Sequence, residues 1–297
     1  MKYIKPSLPI ADQIKHLEGR GLVISDHAKA AHYLSNISYY RLSAYLYPYR
    51  QLPTDNYVTG TTFDEVLDHY LFDREFRLLV FDAVERVEIA FRTQLIYQPS
   101  NLYGPFWFLD PAHFGDRTRW AEQVKKIDEE VARSGEVFIK HFFAKYSSEK
   151  RPPAWISFEV ASLGLLSRLY NNLKFSSPAK KHIANHFGLS EPRVFQSWIR
   201  SMTYVRNICA HHSRLWNRTL TETPKLIQKP PSFWVNTTPP ANDKIYYFLC
   251  CLVHMLRQVN PQSSFIKRLR ALFEKYTVVD CRTMGFPIDW KDDPYWK

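Results

Sequence analysis

The chain has 297 residues, of which 45% are apolar, 15% aromatic and 23% charged, a composition that can bury a full core and is not that of a disordered tail. Forty Lys and Arg against 29 Asp and Glu leave a formal charge of +11, which attracts a polyanion but leaves RNA, DNA and an anionic membrane all open. The four cysteines, Cys209, Cys250, Cys251 and Cys281, make no CxxC spacing, which argues against a zinc ribbon, a redox pair or a disulfide scaffold.

The N-terminal stretch is interrupted by Pro6 and Pro9 and carries charges where a signal peptide needs an unbroken apolar core. The longest apolar runs, Leu78 to Phe81 and Tyr246 to Val253, fall far short of the roughly 20 residues that span a bilayer. A cytoplasmic protein with no integral membrane segment is therefore expected.

Ile10, Ile14 and Leu17 recur at helical spacing, and Gly19 and Gly21 mark a helix end and a turn. Asp26 is placed to cap a second helix whose apolar face holds Ala30, Tyr33, Leu34 and Ile37. An aromatic-rich helical stretch, Tyr39 to Tyr45, ends near Pro48. Thr61 or Thr62 then opens the strongest helical pattern, from Phe63 to about Tyr97, carried by Val66, Leu67, Leu71, Leu78, Phe81, Val84, Ile89 and Leu95. It is one helix of about 50 Å or two joined by a kink, and serves as a spine for the rest. Its charges, from Asp73 to Arg92, permit intrahelical pairs such as Glu88 with Arg92 as well as contacts to a partner helix.

Gly104, Pro105, Pro111 and Gly115 among aromatics make residues 101 to 117 a packed connector. Trp120 to about Phe143 reads as one helix, Arg151-Pro152-Pro153 interrupts the chain, and Trp155 to Tyr170 resumes a helical pattern in which Gly164 and Ser167 allow close approach or are merely tolerated. Pro178 suits the first turn of a helix carrying Lys180, Lys181, His182 and His186. Ser190 is an expected N-cap for a helix from Glu191 to Tyr204 with Val194, Phe195, Trp198, Ile199 and Met202 inward. A proline-rich arm, Thr219 to Pro240, must bury Phe233 and Trp234, and a closing helix starts at Asn242 or Asp243. Pro261 separates it from a last helix with Lys267, Arg268 and Arg270. No repeat, strand ladder or Gly-rich phosphate loop is found, so the chain is expected to be mostly or wholly α-helical.

The chemistry concentrates in Arg206 to Arg218, which gathers cations, amides and two imidazoles around a few apolar anchors. In RNA scission a ribose 2′-OH must lose a proton as it attacks the adjacent phosphate, and the leaving 5′-oxygen must gain one. An imidazole does either near neutral pH, a guanidinium holds the phosphate, and an amide such as Asn207 orients the imidazole or fixes a turn. Arg206 and His211 are five residues apart, about 140° around an ideal helix, so a helix end, a bend or a second chain is needed to bring such groups together. Bland readings stand beside this one: His212 as a packing histidine, Trp216 as core, and Arg214 and Arg218 as a solvated face or a phosphate-binding rim. Two histidines without a third spaced ligand do not suggest a metal site, and no cofactor is expected.

The run Tyr204 to Arg218, YVRNICAHHSRLWNR, resembles the signature of Abi-like proteins, the AbiD and AbiF type of abortive-infection proteins within the HEPN superfamily. Supporting segments are Tyr39 to Tyr45, Phe72 to Arg77, Glu85 to Glu88 and Trp155 to Glu159, so the resemblance covers roughly residues 10 to 220. It implies an all-α, HEPN-like helical bundle in residues 1–220, elaborated by an inserted helical region near 100–190, with a proline-rich arm and C-terminal helices, 221–297, packed on the same core. It also implies that Arg206, Asn207 and His211 match the family's R-N-x-x-x-H motif.

From that resemblance follows a metal-independent endoribonuclease that leaves 2′,3′-cyclic phosphate ends and acts in phage defence or growth arrest. Two copies of the motif would face one cleft in a homodimer, with RNA as substrate and a structured noncoding RNA as a further partner. Arg206, His211 and Asn207 are the expected catalytic residues. His212, Arg214, Asn217, Arg218, Tyr40 and Arg41 are expected RNA contacts, with Glu88 and Trp216 in support; Tyr40, Arg41 and Glu88 serve equally well as structural braces. A noncatalytic RNA-binding regulator and a dimeric interaction protein are the alternatives.

Overall fold

A computed structural model describes residues 2, 6–236 and 242–297. Among these residues there are twelve α-helices: α1 (Ile10–Glu18), α2 (His27–Ile37), α3 (Tyr39–Leu46), α4 (Phe63–Tyr103), α5 (Arg117–Arg133), α6 (Val137–Lys145), α7 (Ala154–Ser157), α8 (Leu163–Asn172), α9 (Pro178–His186), α10 (Pro192–Ala210), α11 (Ile245–Val259) and α12 (Phe265–Lys275). The protein is an all-α multi-helix bundle with additional helical regions. One departure from a wholly helical chain is a hairpin of two-residue strands, β1 (Arg50–Gln51) and β2 (Asn56–Tyr57). No helix among the described residues is long and apolar enough to cross a membrane.

Two compact units divide the chain: residues 1–78 with 269–280, and residues 79–268 with 281–297. In the first, the expected caps form. The Asp26 carboxylate accepts from the Lys29 amide at 2.8 Å, and Thr62 and Glu65 satisfy each other's amides at the start of α4. Phe72 packs on Phe76, Phe273 and Tyr276 in the core of this unit. Asp73 and Arg77 are buried there as an ion pair, and the Tyr45 hydroxyl donates to Asp73 Oδ2 at 2.5 Å.

The long helix is continuous and outruns its expected end, passing through Pro99 to Tyr103, about 60 Å in all. Pro99, inside this helix, lacks the N–H that would reach the Leu95 carbonyl and sets its ring against that carbonyl. Leu78 and Ile89, expected among its apolar positions, are half exposed instead. The buried stripe of its second half is Val80, Val84, Val87, Phe91 and Leu95, which places Ile89 on the opposite face.

In the second unit α8 packs between α5 and α10, and Phe91, Tyr170, Phe187 and Phe195 form an edge-to-face and stacked aromatic cluster beneath them. Two expected helices are each split. Trp120 to Phe143 becomes α5 and α6, separated at residues 134–136 around Gly135, and α5 starts earlier under the Asp116 cap. Trp155 to Tyr170 becomes α7 and α8, because the Arg92 guanidinium takes the carbonyls of Phe158 and Ala161, which a continuous helix would have used itself. Ser162 then caps α8.

A methyl group added at Gly164 would make ordinary contact with Thr203, so close approach does not demand glycine there. The N-cap of α10 is Glu191 rather than Ser190, with Pro192 in the first turn, and the helix runs on through the motif to Ala210. The arm buries Trp234 against Trp198 and His254 but leaves Phe233 half exposed over Arg257 and Tyr295; Pro239 and Pro240 lie outside the described residues.

Candidate functional site

The motif sits where α10 ends, and local backbone chemistry shapes it. His211 is the C-cap, His212 adopts φ 56°, and the amides of His212 and Ser213 return to the carbonyls of Cys209 and Ile208 at 3.1 and 3.0 Å. This is a Schellman ending in which a histidine holds the left-handed position that glycine usually takes. Asn217, at φ 47°, makes a second left-handed turn, one that asparagine tolerates. Between the two turns Leu215 and Trp216 are buried and fasten the segment to the unit. Trp216 is thus core, as the bland reading had it, with Arg214 Cζ 6.0 Å from its ring.

Arg206 lies one turn before the helix end with its side chain about one third exposed. Its Nε is 3.4 Å from Glu88 Oε2 but not aligned for a hydrogen bond, its Cζ is 5.7 Å from the Phe81 ring, and Nη1 is 3.5 Å from Asn207 Oδ1. Glu88, only 15% exposed, also lies 3.5 Å from Arg92, so one half-buried carboxylate sits between two guanidiniums. Arg92 is anchored in turn to the carbonyls of Phe158 and Ala161. The segments Glu85 to Glu88, Trp155 to Glu159 and Tyr204 to Arg218, far apart in sequence, are therefore joined by one chain of contacts, from Arg206 through Glu88 and Arg92 to Phe158. The expected Glu88–Arg92 pair forms, but the role of Arg92 as the anchor of this chain of contacts has no signature in spacing.

Asn207 is exposed in the last turn of α10, and His211, the C-cap, and His212 after it are exposed too. Arg218 and Asn217 are half-buried. Arg218 donates to the Arg214 carbonyl at 3.2 Å and lies 6.0 Å from the Tyr204 ring. Burial alone would push the Tyr204 phenol up, but its hydrogen bonds with Thr221 and Arg218 outweigh that and bring it below the ordinary phenol value. Tyr204 is thus a polar wall of the site that spacing did not single out. Tyr40 and Arg41 are exposed on α3, in the other compact unit, Tyr40 at 88% of its full exposure. Among the described residues no three His, Cys, Asp or Glu side chains gather as a metal-ligand group.

Along the sequence the segment that carries the site is one-sided in charge. Between Glu159 and Glu222 the chain carries nine Lys and Arg and a single carboxylate, Glu191. Lys180 is buried, and Glu222 and Glu88 lie against Arg200 and Arg206; the other cations of the segment favour a polyanion.

A family model for Abi-like proteins matches residues 32–217, more than half of the chain, ending at Asn217 inside the motif. The chain belongs to the Abi-like family. As an Abi-like protein it shares a family linked to phage defence, and the matched span runs from α2 through α10. No curated protein and no solved structure matches the chain.

Proposed function

We propose that this Abi-like protein is a HEPN-type, metal-independent endoribonuclease that works as a homodimer in phage defence or growth arrest. The observation that carries this reading is the setting of Arg206: a guanidinium braced from beneath by Glu88, partly open to solvent, five residues before the exposed His211, in a segment almost free of carboxylates. A guanidinium so held meets a scissile phosphate without having to be ordered first.

In the reaction the 2′-oxygen bonds to the adjacent phosphorus, the P–O5′ bond breaks, and a 2′,3′-cyclic phosphate and a free 5′-hydroxyl result. One imidazole accepts the 2′-hydroxyl proton and another delivers a proton to the 5′-oxygen. Each chain offers one His211, so two copies facing each other supply the base and the acid, while the paired Arg206 side chains offset charge on the phosphate. Asn207 orients this end of the helix. Arg214, Arg218 and His212 hold the flanking backbone, with Tyr40 and Arg41 as further RNA contacts and a structured noncoding RNA as a regulatory partner.

The test is to incubate purified protein with mixed RNAs in excess chelator and compare it with Arg206→Ala and His211→Ala. Cleavage that persists in chelator, leaves cyclic phosphate ends and disappears in both folded variants is expected. Tight RNA binding without cleavage in all forms would replace this reading with a noncatalytic RNA-binding regulator, which the same one-sided charge supports. Neither binding nor cleavage would leave a dimeric interaction protein.

A further inference from the structure

The basic segment has a second end, far from the motif. Positions 193, 200, 204, 207 and 211 fall within a sector of about 60° around an ideal helix. Arg193, Arg200, Asn207 and His211 are exposed and Tyr204 is half-buried, so this sector is a solvent face running the length of α10. Midway along it Arg200 is held by Glu222 at 2.6 Å. At the far end, beyond Arg193, lies the turn joining α8 to α9.

That turn presents Phe175 with 52% of its surface in water. The ring is gripped by cations: Lys180 Nζ lies 4.0 Å and Arg193 Cζ 4.9 Å from its centroid. Lys180 is fully buried and donates to the carbonyls of Asn171 and Leu173 at 2.9 and 2.8 Å, which holds the turn in place. Lys174 and Lys181 are exposed on either side, and the one carboxylate nearby in sequence is the exposed Glu191. Lys180 and Arg193 engage the ring by its π system, and half of the ring surface stays in water beside the surface guanidinium of Arg193. Bases of single-stranded RNA stack on aromatic rings and on guanidinium planes, with neighbouring cations taking the phosphates.

We propose that Phe175 and Arg193 form a base-stacking platform for single-stranded RNA, at the opposite end of the α10 face from His211. The nature of the ligand rests on the ribonuclease reading above. Arg193 and His211 are about 27 Å apart along the helix, which a strand at the stacked rise of 3.4 Å covers in about eight nucleotides. A strand held at the cleavage point therefore reaches the platform only if it extends about eight nucleotides beyond that point.

The experiment measures fluorescence anisotropy of 5′-fluorescein-labelled, mixed-sequence single-stranded RNAs of 4 and 12 nucleotides, titrated with full-length His211→Ala protein so that the probes stay intact. Phe175→Leu keeps an apolar cover over Lys180 and removes the flat ring, while Phe175→Trp enlarges it. The expected result is that Phe175→Leu weakens binding of the 12-mer about tenfold and Phe175→Trp binds it at least as tightly as the parent, with the 4-mer changed less than about twofold in either. Lys174→Gln, which removes a neighbouring cation assigned to phosphate, should lower the salt slope of 12-mer binding by about 0.7. An unchanged 12-mer affinity in Phe175→Leu, or equal weakening of both probes, overturns the platform.

Cleavage is read separately with the His211-intact protein. Ring-dependent binding of the 12-mer without cleavage would defeat the ribonuclease reading and leave the platform standing. Cleavage that is insensitive to Phe175 for both lengths, with unchanged binding, would do the reverse.

Discussion

Replacing Lys180 with methionine should change how folding stability depends on pH. Burial, and after it the nearby Arg193 charge, bring the Lys180 ammonium down from 10.5 to about 8. Between those two values the unfolded chain binds more protons than the folded one, so the contribution of Lys180 makes stability rise with pH. Below about 8 both states are charged and the folded state bears the full cost. At 1.36 kcal/mol for each pH unit of difference that cost is about 3 kcal/mol, and it fades as pH climbs toward 10.5. The methionine variant lacks this dependence and instead leaves the Asn171 and Leu173 carbonyls without their donor, a penalty that does not vary with pH. Burial pushes the neighbouring Tyr170 phenol up out of this range, so it does not interfere. Urea unfolding of both proteins at pH 7, 8, 9 and 10 gives the difference in stability at each pH, in which all other titrating groups cancel. The parent should gain on the variant by up to about 3 kcal/mol across the series. A difference that stays flat would show that the two carbonyls fully offset burial and that Lys180 keeps an ordinary ammonium.

Other substitutions test the site and the core. Glu88→Ala should leave the helical circular dichroism signal in place yet reduce RNA cleavage more than tenfold, because Arg206 loses its brace; unchanged cleavage by the folded variant would show that Glu88 positions nothing. His212→Gly relieves the left-handed strain at the helix end and should raise stability by up to about 1 kcal/mol in chemical denaturation, with any fall in RNA affinity measuring what the ring contributes to binding. Arg77→Ala strands the Asp73 carboxylate, which has no solvent exposure, and should destabilise the protein by about 3–5 kcal/mol, read from the urea midpoint at constant slope. Tyr45→Phe removes one hydrogen bond to the same carboxylate while the ion pair persists, and should cost less, about 1–3 kcal/mol.

Much about this chain is legible in the order of its residues. The helical periodicity, the caps at Asp26 and Thr62, the prolines that open α9 and α10, and the concentration of cations and imidazoles from Arg206 to Arg218 are all properties of short stretches. They show in sequence because capping, proline geometry and amphipathic spacing act within a few residues. What the tertiary structure decided depends on groups distant along the chain. Arg92 breaks the expected helix after Ser157 by taking a carbonyl 66 residues away, and Glu88 of α4 is set beneath Arg206 of α10. Lys180 faces inward among residues that, by type and spacing alone, read as a basic cluster with Lys181, His182 and His186. Which face of α4 is buried, and so why Ile89 is half exposed while Phe91 is covered, is likewise set by the elements that pack on it. Spacing names the residues able to grip and cut a phosphate link, whereas their bracing and exposure come from carbonyls and carboxylates that no local pattern brings near them.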